Sequence, residues 1–194
     1  MLRVIIVGAG FMGQTHASIY KSMKEVELLA IVDKDKEKGE KFANDYNCLY
    51  SEDLVVALKS LNADFVDICL PTFLHEEYII KASEYVRYIL CEKPITLSID
   101  SVEKIFRVLK NNGTKLYLGQ VLRFWEEYVN AKNIYESGRL GTIRYIEAER
   151  LSEPPNWSAW YKKASMSGGG LFDLHLHDID FLVYLFGKPV TVYA

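Results

Sequence analysis

A carboxylate and an imidazole lie four residues apart near the end of the chain, just after a run of three glycines. The run is Gly168-Gly169-Gly170, and the two groups are Asp173 and His177, at the start of an apolar segment. Side chains four residues apart share one face of an α-helix, so Asp173 and His177 can project together into a cleft. An imidazole whose pKa lies near neutrality can accept or donate a proton at physiological pH. The spacing therefore predicts an acid/base pair.

A glycine motif lies at the other end of the chain. Gly8, Gly10 and Gly13 follow a short apolar run, and Asp33 comes twenty residues after Gly13. In a dinucleotide-binding unit, such glycines allow a tight turn and close approach of the backbone to a pyrophosphate at a helix N-terminus. The acid then accepts hydrogen bonds from the ribose hydroxyls. Asp33 would repel a 2′-phosphate, which favours NAD over NADP, although the neighbouring Lys34 keeps NADP open. A glycine-rich turn that binds no nucleotide is the alternative.

Short β-branched runs alternate with amphipathic stretches over the first 120 residues or so. This alternation predicts parallel strands joined by right-handed crossovers, which form an α/β doubly wound sheet covered by helices on both faces. The predicted strands are residues 2–7, 26–32, 48–50, 65–70, 88–91 and 115–121, and the predicted helices are residues 11–23, 34–46, 52–61, 75–85 and 99–112. Ser98 or Asp100 is the expected N-cap of the last helix. The first predicted domain covers residues 1–121.

The pattern changes after residue 121. Residues 125–137 and 171–186 are predicted helices, residues 142–151 a longer strand, and residues 189–193 the beginning of another strand. Two strands are marginal on their own, so residues 122–194 are expected to be an incomplete α+β domain, truncated at its C-terminal end. Because the helix over residues 171–186 is apolar nearly all round, we expect it to pack against another chain in a homo-oligomer.

Polar residues follow several of the predicted parallel strands. Pro71 and Thr72 follow the fourth strand, Glu92 and Lys93 the fifth, and Arg123 the sixth. The carboxyl ends of parallel strands share one edge of a sheet, where ligands bind, so this placement directs Lys93 toward a cofactor cleft. The alternative is a surface lysine before a turn led by proline.

Several motifs together are similar to one known family. They are Gly8 to Gly13 with His16, Pro71-Thr72 with His75, Cys91-Glu92-Lys93-Pro94, Arg123-Phe124, and the triple glycine followed by Asp173, His177 and Asp180. Over the whole chain this set resembles the Gfo/Idh/MocA oxidoreductases, which include glucose-fructose oxidoreductase and inositol dehydrogenase. The resemblance implies a Rossmann domain followed by a substrate and oligomerisation domain.

The resemblance also implies an activity. Family members transfer hydride between a nicotinamide cofactor and a secondary alcohol or ketone of a sugar, cyclitol or related polyol. It implies that Lys93 touches the reacting hydroxyl, that His177 accepts its proton and that Asp173 orients the substrate. Lys93 is a second candidate for the acid/base role. Pro94 corresponds to a family proline whose peptide bond is often cis.

The residues expected to bind the cofactor form a longer list. They are Gly8, Gly10, Phe11, Met12, Gly13, Asp33, Lys34, Pro71, Thr72, His75, Glu92, Lys93 and Arg123.

No metal is expected at the Asp173–His177 segment. His175 stands where the family usually has glycine, but a zinc site made with Asp178 would require an extended backbone. Asp178 is either a polar pocket residue or a cap of a neighbouring loop, and Asp180 could orient His177. In the preceding loop, Trp157, Trp160 and Tyr161 could stack on a sugar face or pack between the domains.

Composition excludes several classes of partner. A formal net charge of −3 without a basic stripe argues against nucleic acid. No segment approaches the roughly 20 apolar residues that span a bilayer. Cys48, Cys69 and Cys91 lack metal or redox spacing and are expected to be reduced thiols, mostly buried, as in a cytoplasmic protein.

Two other functions remain open at this point. A non-catalytic nucleotide-sensing protein, or an inactive fragment of the enzyme, could keep the same fold. A dihydrodiol or biliverdin-type reductase would differ only in its substrate. Because a sensor has no need of Lys93, Asp173 and His177 together, their presence favours the enzyme.

Overall fold

The computed structural model describes residues 1–153 and 159–193. They form two compact units, residues 1–119 and residues 120–194, so the division lies just before the predicted boundary after residue 121. Trp157, one of the aromatic residues considered above, lies outside the described residues.

The first unit is built on a parallel sheet of six strands. Its spatial order is β3-β2-β1-β4-β5-β6, so the direction of winding reverses between β1 and β4. The strands are β1 (Leu2–Val7), β2 (Val26–Val32), β3 (Leu49–Ser51), β4 (Phe65–Ile68), β5 (Tyr88–Cys91) and β6 (Lys115–Leu118). The helices are α1 (Phe11–Ser22), α2 (Lys36–Tyr46), α3 (Leu54–Ser60), α4 (His75–Ser83) and α5 (Ile99–Asn112). This topology confirms the doubly wound α/β prediction, and such a reversal is where open sheets bind ligands.

Helices cover both faces of the sheet, which explains its uninterrupted apolar strands. In β1, Ile5 and Val7 belong to the cluster that contains Ile79 of α4 and Ile105 of α5. Ile6 belongs instead to the cluster on the other face, which contains side chains from α1 and α2. All of these β1 side chains are at most 1% exposed. Full burial of such a side chain stabilises the fold by about 1.5–3 kcal/mol, so β1 anchors both layers.

Capping residues fix the ends of the helices. The Ser98 hydroxyl accepts a hydrogen bond from the Ser101 N–H at 3.4 Å, which makes Ser98 the N-cap of α5. Gly113 ends the helix in the left-handed conformation, with a φ of 69°. These two residues explain why the predicted range 99–112 matches the observed helix.

The second unit is mainly helical. It contains α6 (Glu126–Glu136), the short α7 (Ala164–Ser167) and α8 (Leu176–Phe186), with a π-helical turn over Leu171–His175 that leads into α8. The predicted helix over residues 171–186 is therefore present, but its first turn is wider than an α-helical turn. Among the described residues, no helix is long and apolar enough to cross a bilayer.

The two strands predicted in the second unit are wrong. Residues 142–151 and 189–193 are described and carry no strand hydrogen bonding. A β-strand is stable only when it hydrogen-bonds to an adjacent strand. In the described part of the second unit there is no strand with which these two segments could pair. Alternating polar and apolar residues are thus not sufficient to form a strand here.

Candidate active site

The turn after β1 requires glycine at two positions. Gly8 has a φ of +106°, and a Cβ there would lie 2.7 Å from the carbonyl oxygen of Cys69. A Cβ on Gly13, in the first turn of α1, would lie 1.9 Å from the carbonyl oxygen of Gly8. The two glycines therefore let α1 pack directly on the turn, which is the geometry of a dinucleotide-binding unit.

The Asp33 carboxylate connects the end of β2 to this turn. Its Oδ2 accepts the Ala9 N–H at 2.7 Å, and its Oδ1 accepts the Asp35 N–H at 2.8 Å. A carboxylate offers about four acceptor positions, so both oxygens keep capacity for ribose hydroxyls. Lys34 is exposed beside it. Asp33 thus stands where the predicted ribose contact requires it, while the contact itself stays a prediction.

The loop after β4 is held by a buried histidine. Pro71 precedes a short 3-10 turn in which Thr72 is 4% exposed, and His75 follows at the start of α4. The His75 ring nitrogens lie 2.8 Å from the carbonyl oxygens of Leu70 and Pro94. Burial lowers the pKa of His75. A contact of this ring with a nucleotide stays a prediction.

The Glu92-Lys93-Pro94 segment follows β5 at the same edge of the sheet. The Lys93–Pro94 peptide bond is cis, which confirms the expectation for Pro94. Lys93 is half-buried, and its backbone N–H donates to Glu92 Oε2 at 3.2 Å. The predicted cofactor residues Gly8, Asp33, Thr72 and Lys93 all follow strands of one parallel sheet.

The structure also contains a buried polar cluster near this edge of the sheet, which the sequence did not predict. Asp67 on β4 is fully buried, and its Oδ2 accepts the Tyr20 hydroxyl at 2.7 Å. The same oxygen lies 2.8 Å from His16 Nδ1, while His16 Nε2 lies 3.2 Å from Glu92 Oε1. Burial disfavours the charged ring, but hydrogen bonds with Asp67, Cys69 and Glu92 outweigh it and raise the pKa of His16 to about 12. The signal that could have revealed the cluster is an acid inside an apolar strand.

The cluster also contains groups able to bind metal. His16, Asp67 and Cys69 offer ligand atoms within 4.8 Å of one another. The His16 and Asp67 atoms already face each other in a hydrogen bond, so we assign a charge network. All three cysteines are free thiols, with Cys69 and Cys91 buried and Cys48 half-buried, which confirms the expected thiols.

In the second unit, the predicted acid/base pair lies where the π-helical turn meets α8. Asp173 belongs to the turn and His177 to the first turn of α8, and both side chains are half-buried. π-Helical turns inside helices frequently mark functional sites. The convergence of these two residues with Lys93 stays a prediction. In the preceding segment, Trp160 and Tyr161 stack on each other with ring centroids 4.0 Å apart.

Two aspartates of α8, which follow His177 in the chain, form ion pairs with arginines. Arg123 Nε and Nη2 donate to Asp180 at 2.7 and 2.5 Å, and the guanidinium lies 4.7 Å from the Tyr184 ring centroid. Arg150 Nη2 and Nε donate to Asp178 at 2.7 and 2.9 Å.

These pairs show what two acids contact whose function the sequence left open. The hydrogen bond from Arg150 lowers the pKa of Asp178, and whether this acid lines a pocket or caps a loop stays untested. Both oxygens of Asp180 face Arg123. A contact of Arg123 with the cofactor, and an orienting contact of Asp180 with His177, stay predictions.

Comparison with known proteins places these features in a family. The sequence model of the GFO_IDH_MocA oxidoreductase family, NAD-binding Rossmann fold, matches residues 2–120. The model of the GFO/IDH/MocA C-terminal domain matches residues 128–194.

Individual relatives extend over both units. "Uncharacterized oxidoreductase YrbE" from Bacillus subtilis is 32% identical over 97% of this chain and 55% of its own length. "2,7-anhydro-N-acetylneuraminate hydratase" from Mediterraneibacter gnavus is 29% identical over 94% of this chain and 48% of its own length. The chain thus spans about half the length of the curated relatives it matches.

Solved structures agree with the sequence comparisons. The crystal structure of scyllo-inositol dehydrogenase from Lactobacillus casei with bound cofactor NAD(H) and scyllo-inositol superposes with a TM-score of 0.87. It is 26% identical and is matched over 97% of this chain and 57% of that chain. As the motifs predicted, this chain belongs to the Gfo/Idh/MocA oxidoreductase family, and residues 2–120 form its NAD-binding Rossmann fold.

Proposed function

We propose that this chain is the cofactor-binding and proton-transfer portion of an NAD-dependent dehydrogenase. The substrate is a secondary alcohol of a cyclitol, sugar or related polyol, or the corresponding ketone. One observation carries the proposal: the glycine turn, Asp33 and the segment bearing Lys93 all lie at the carboxyl edge of one parallel sheet, around its winding reversal.

The first unit holds the residues that fit an NAD molecule. The close packing of α1 on the glycine turn leaves room for a pyrophosphate at the backbone N–H groups that begin the helix. Asp33 accepts hydrogen bonds from the adenosine ribose, and its charge disfavours a 2′-phosphate. When bound, NAD supplies the acceptor for the hydride.

The remaining chemistry belongs to three side chains. His177 takes the proton of the reacting hydroxyl at an imidazole nitrogen, which raises the electron density on the carbinol carbon. The Lys93 ammonium stabilises the developing alkoxide, and the Asp173 carboxylate orients the hydroxyl groups of the substrate. The carbinol C–H electron pair leaves as hydride, and the C–O bond becomes a carbonyl. In the ketone direction, the same groups return the proton.

Similarity to a solved structure that contains NAD(H) and scyllo-inositol supports this class of substrate. A hydratase, suggested by the name of one relative, is the second candidate. A nucleotide sensor is the third, because fold alone does not fix function. We further propose that the protein is cytoplasmic and forms a homo-oligomer.

Calorimetry and hydride-transfer assays test the proposal directly. We expect NADH to bind the chain about tenfold more tightly than NADPH, a difference of about 1.4 kcal/mol, because Asp33 repels the 2′-phosphate. Asp33→Asn should reduce the difference between the NADH and NADPH dissociation constants. The absence of binding by either nicotinamide cofactor would overturn the proposal.

Lys93→Ala then separates catalysis from binding. Hydride transfer to a panel of polyols and their ketones should fall at least about 10²-fold, whereas NADH binding should persist. Lys110→Ala, a change to an exposed lysine on α5, serves as the control and should retain the parent rate. Full activity in Lys93→Ala would refute the assigned mechanism, and substrate turnover without net NADH change would favour the hydratase.

A further inference from the structure

Three charged groups from distant parts of the first unit meet beneath the Glu92-Lys93-Pro94 segment. His16 comes from α1, Asp67 from β4 and Glu92 directly follows β5. The His16 ring lies between the two acids, with Nδ1 2.8 Å from Asp67 Oδ2 and Nε2 3.2 Å from Glu92 Oε1. Asp67 is fully buried and Glu92 is 7% exposed.

The arrangement defines the protonation state of the ring. An ionised carboxylate can only accept hydrogen bonds, and each ring nitrogen of His16 faces a carboxylate oxygen, so the geometry favours a ring with protons on both nitrogens. Among the described residues, the Tyr20 hydroxyl at 2.7 Å and the Cys69 thiol at 3.6 Å also donate to Asp67, and Cys69 Sγ lies 3.4 Å from His16 Nδ1. As an imidazolium, His16 pairs with both buried acids, Asp67 and Glu92.

Glu92 transmits this charge contact to Lys93. Its Oε2 accepts the Lys93 backbone N–H at 3.2 Å, while its buried Oε1 makes no well-aligned hydrogen bond within the described residues and relies on the ion pair with His16. A Cβ on Gly119 would lie 3.2 Å from both carboxylate oxygens, so the glycine leaves the space that the carboxylate needs. The carboxylate is held from two sides by His16 and by the Lys93 backbone.

We propose that His16 is a positioning residue for Lys93: as an imidazolium it fixes the Glu92 carboxylate, which in turn fixes the backbone of Lys93. The proposal rests on the proposed function, in which the Lys93 ammonium works at the reacting hydroxyl. Without the cation, the Glu92 carboxylate loses its ion-pair partner and can turn away, which breaks its hydrogen bond with the Lys93 N–H. Misplacement of a reacting group by about 1 Å can cost about 10²-fold in rate.

The wild-type chain provides the first test, which needs no turnover. Nitrogen-15 NMR of the histidine rings should show both His16 nitrogens protonated between about pH 6 and pH 9, with an unchanged Lys93 amide resonance. A neutral His16 ring at about pH 7.5 overturns the proposal.

Two variants provide the second test. His16→Gln should shift the Lys93 amide resonance and lower kcat for hydride transfer by about 10- to 100-fold, with the NADH dissociation constant changed no more than about twofold. Tyr20→Phe removes a neighbouring hydrogen bond to Asp67 without touching Glu92, so it should lower stability but leave the Lys93 resonance and kcat unchanged. If His16 had a purely structural role, His16→Gln and Tyr20→Phe would have the same effects on stability, on the Lys93 resonance and on kcat.

The readouts separate this proposal from the proposed function. If the wild-type chain transfers no hydride to any ketone, the proposed function fails for this chain, whereas the NMR signals still decide the role of His16. If His16→Gln does not fold, Glu92→Gln replaces it and should also shift the Lys93 amide. An unmoved Lys93 amide in the folded variant, or an unchanged kcat in an active chain, overturns the positioning role.

Discussion

At the scale of single residues, the positions of the glycine motif differ in how strictly they require glycine. A Cβ on Gly13 would collide with the Gly8 carbonyl oxygen at 1.9 Å, whereas a Cβ on Gly10 would have nothing within 4 Å. Gly10 also has a φ of −75°, which any residue can adopt. The requirement for glycine at position 13 therefore comes from the packing of α1 on the turn.

This contrast gives a stability prediction. Gly13→Ala should lower the free energy of unfolding by at least about 2 kcal/mol, because the backbone must move to relieve the clash. Gly10→Ala, the matched control, should change it by no more than about 0.5 kcal/mol. Urea unfolding followed by circular dichroism measures both, and equal losses in the two variants would contradict the packing argument.

Part of the candidate site was predictable from the types and spacing of residues in the sequence. Gly8, Gly13 and Asp33 were predicted from their spacing, and the structure places them at the turn after β1, in the first turn of α1 and after β2, while their contacts with a cofactor stay predictions. The contact between His16 and Asp67 joins residues 51 positions apart. In the sequence, Asp67 is only one polar residue in an apolar strand, so nothing local identified its partner.

At the scale of elements, the His16 cluster joins α1, β4 and the segment after β5, so it should make stability depend on pH. The pKa of His16 is raised from the ordinary 6.5 to about 12 in the folded chain. Below pH 6.5 both states are protonated and the contribution is complete. As pH rises, the unfolded chain releases this proton first, so stability falls until the folded ring titrates.

The expected slope is measurable near neutral pH. Between about pH 7 and pH 8 the free energy of unfolding should fall by up to about 1.4 kcal/mol per pH unit. The Cys69 thiol and Tyr20 hydroxyl have ordinary pKa values of 9.0 and 10.0, so this window precedes their titration. Urea unfolding at several pH values measures the slope, and His16→Gln should flatten it. A wild-type slope equal to that of the variant would contradict the assignment.

Element prediction succeeded where local signals and tertiary packing agree. The limits of α5 follow from Ser98 and Gly113, and the buried strands follow from their β-branched runs. The strand predicted over residues 142–151 failed because a strand depends on a distant neighbour, which the pattern of one segment does not reveal. The π-helical turn before α8 likewise has no simple sequence signal.

At the scale of the whole molecule, the second unit exposes many apolar side chains. Leu140, Tyr145, Leu151 and Val190 are 57%, 79%, 86% and 100% exposed. Large exposed apolar surfaces in a soluble protein usually mark sites of association. The proposed homo-oligomer therefore has an available surface in the second unit.

We expect the chain to self-associate at about micromolar concentration, because association removes these side chains from water. Light scattering across a dilution series measures the effect, and Tyr145→Ser with Leu151→Ser should increase the monomer fraction. A single monomeric species at every concentration would rule out this expectation.

Asp33 illustrates how the fold prepares a ligand contact in advance. Because two backbone N–H groups already hold its carboxylate, the side chain has one orientation before any nucleotide arrives. Immobilising a mobile side chain on binding costs about 0.5–1.5 kcal/mol of conformational entropy, and here that cost falls on folding instead. The nucleotide therefore meets a carboxylate that is already fixed in place. Because the Asp33 side chain does not rotate away, it can fully distinguish an unmodified ribose from one that carries a 2′-phosphate.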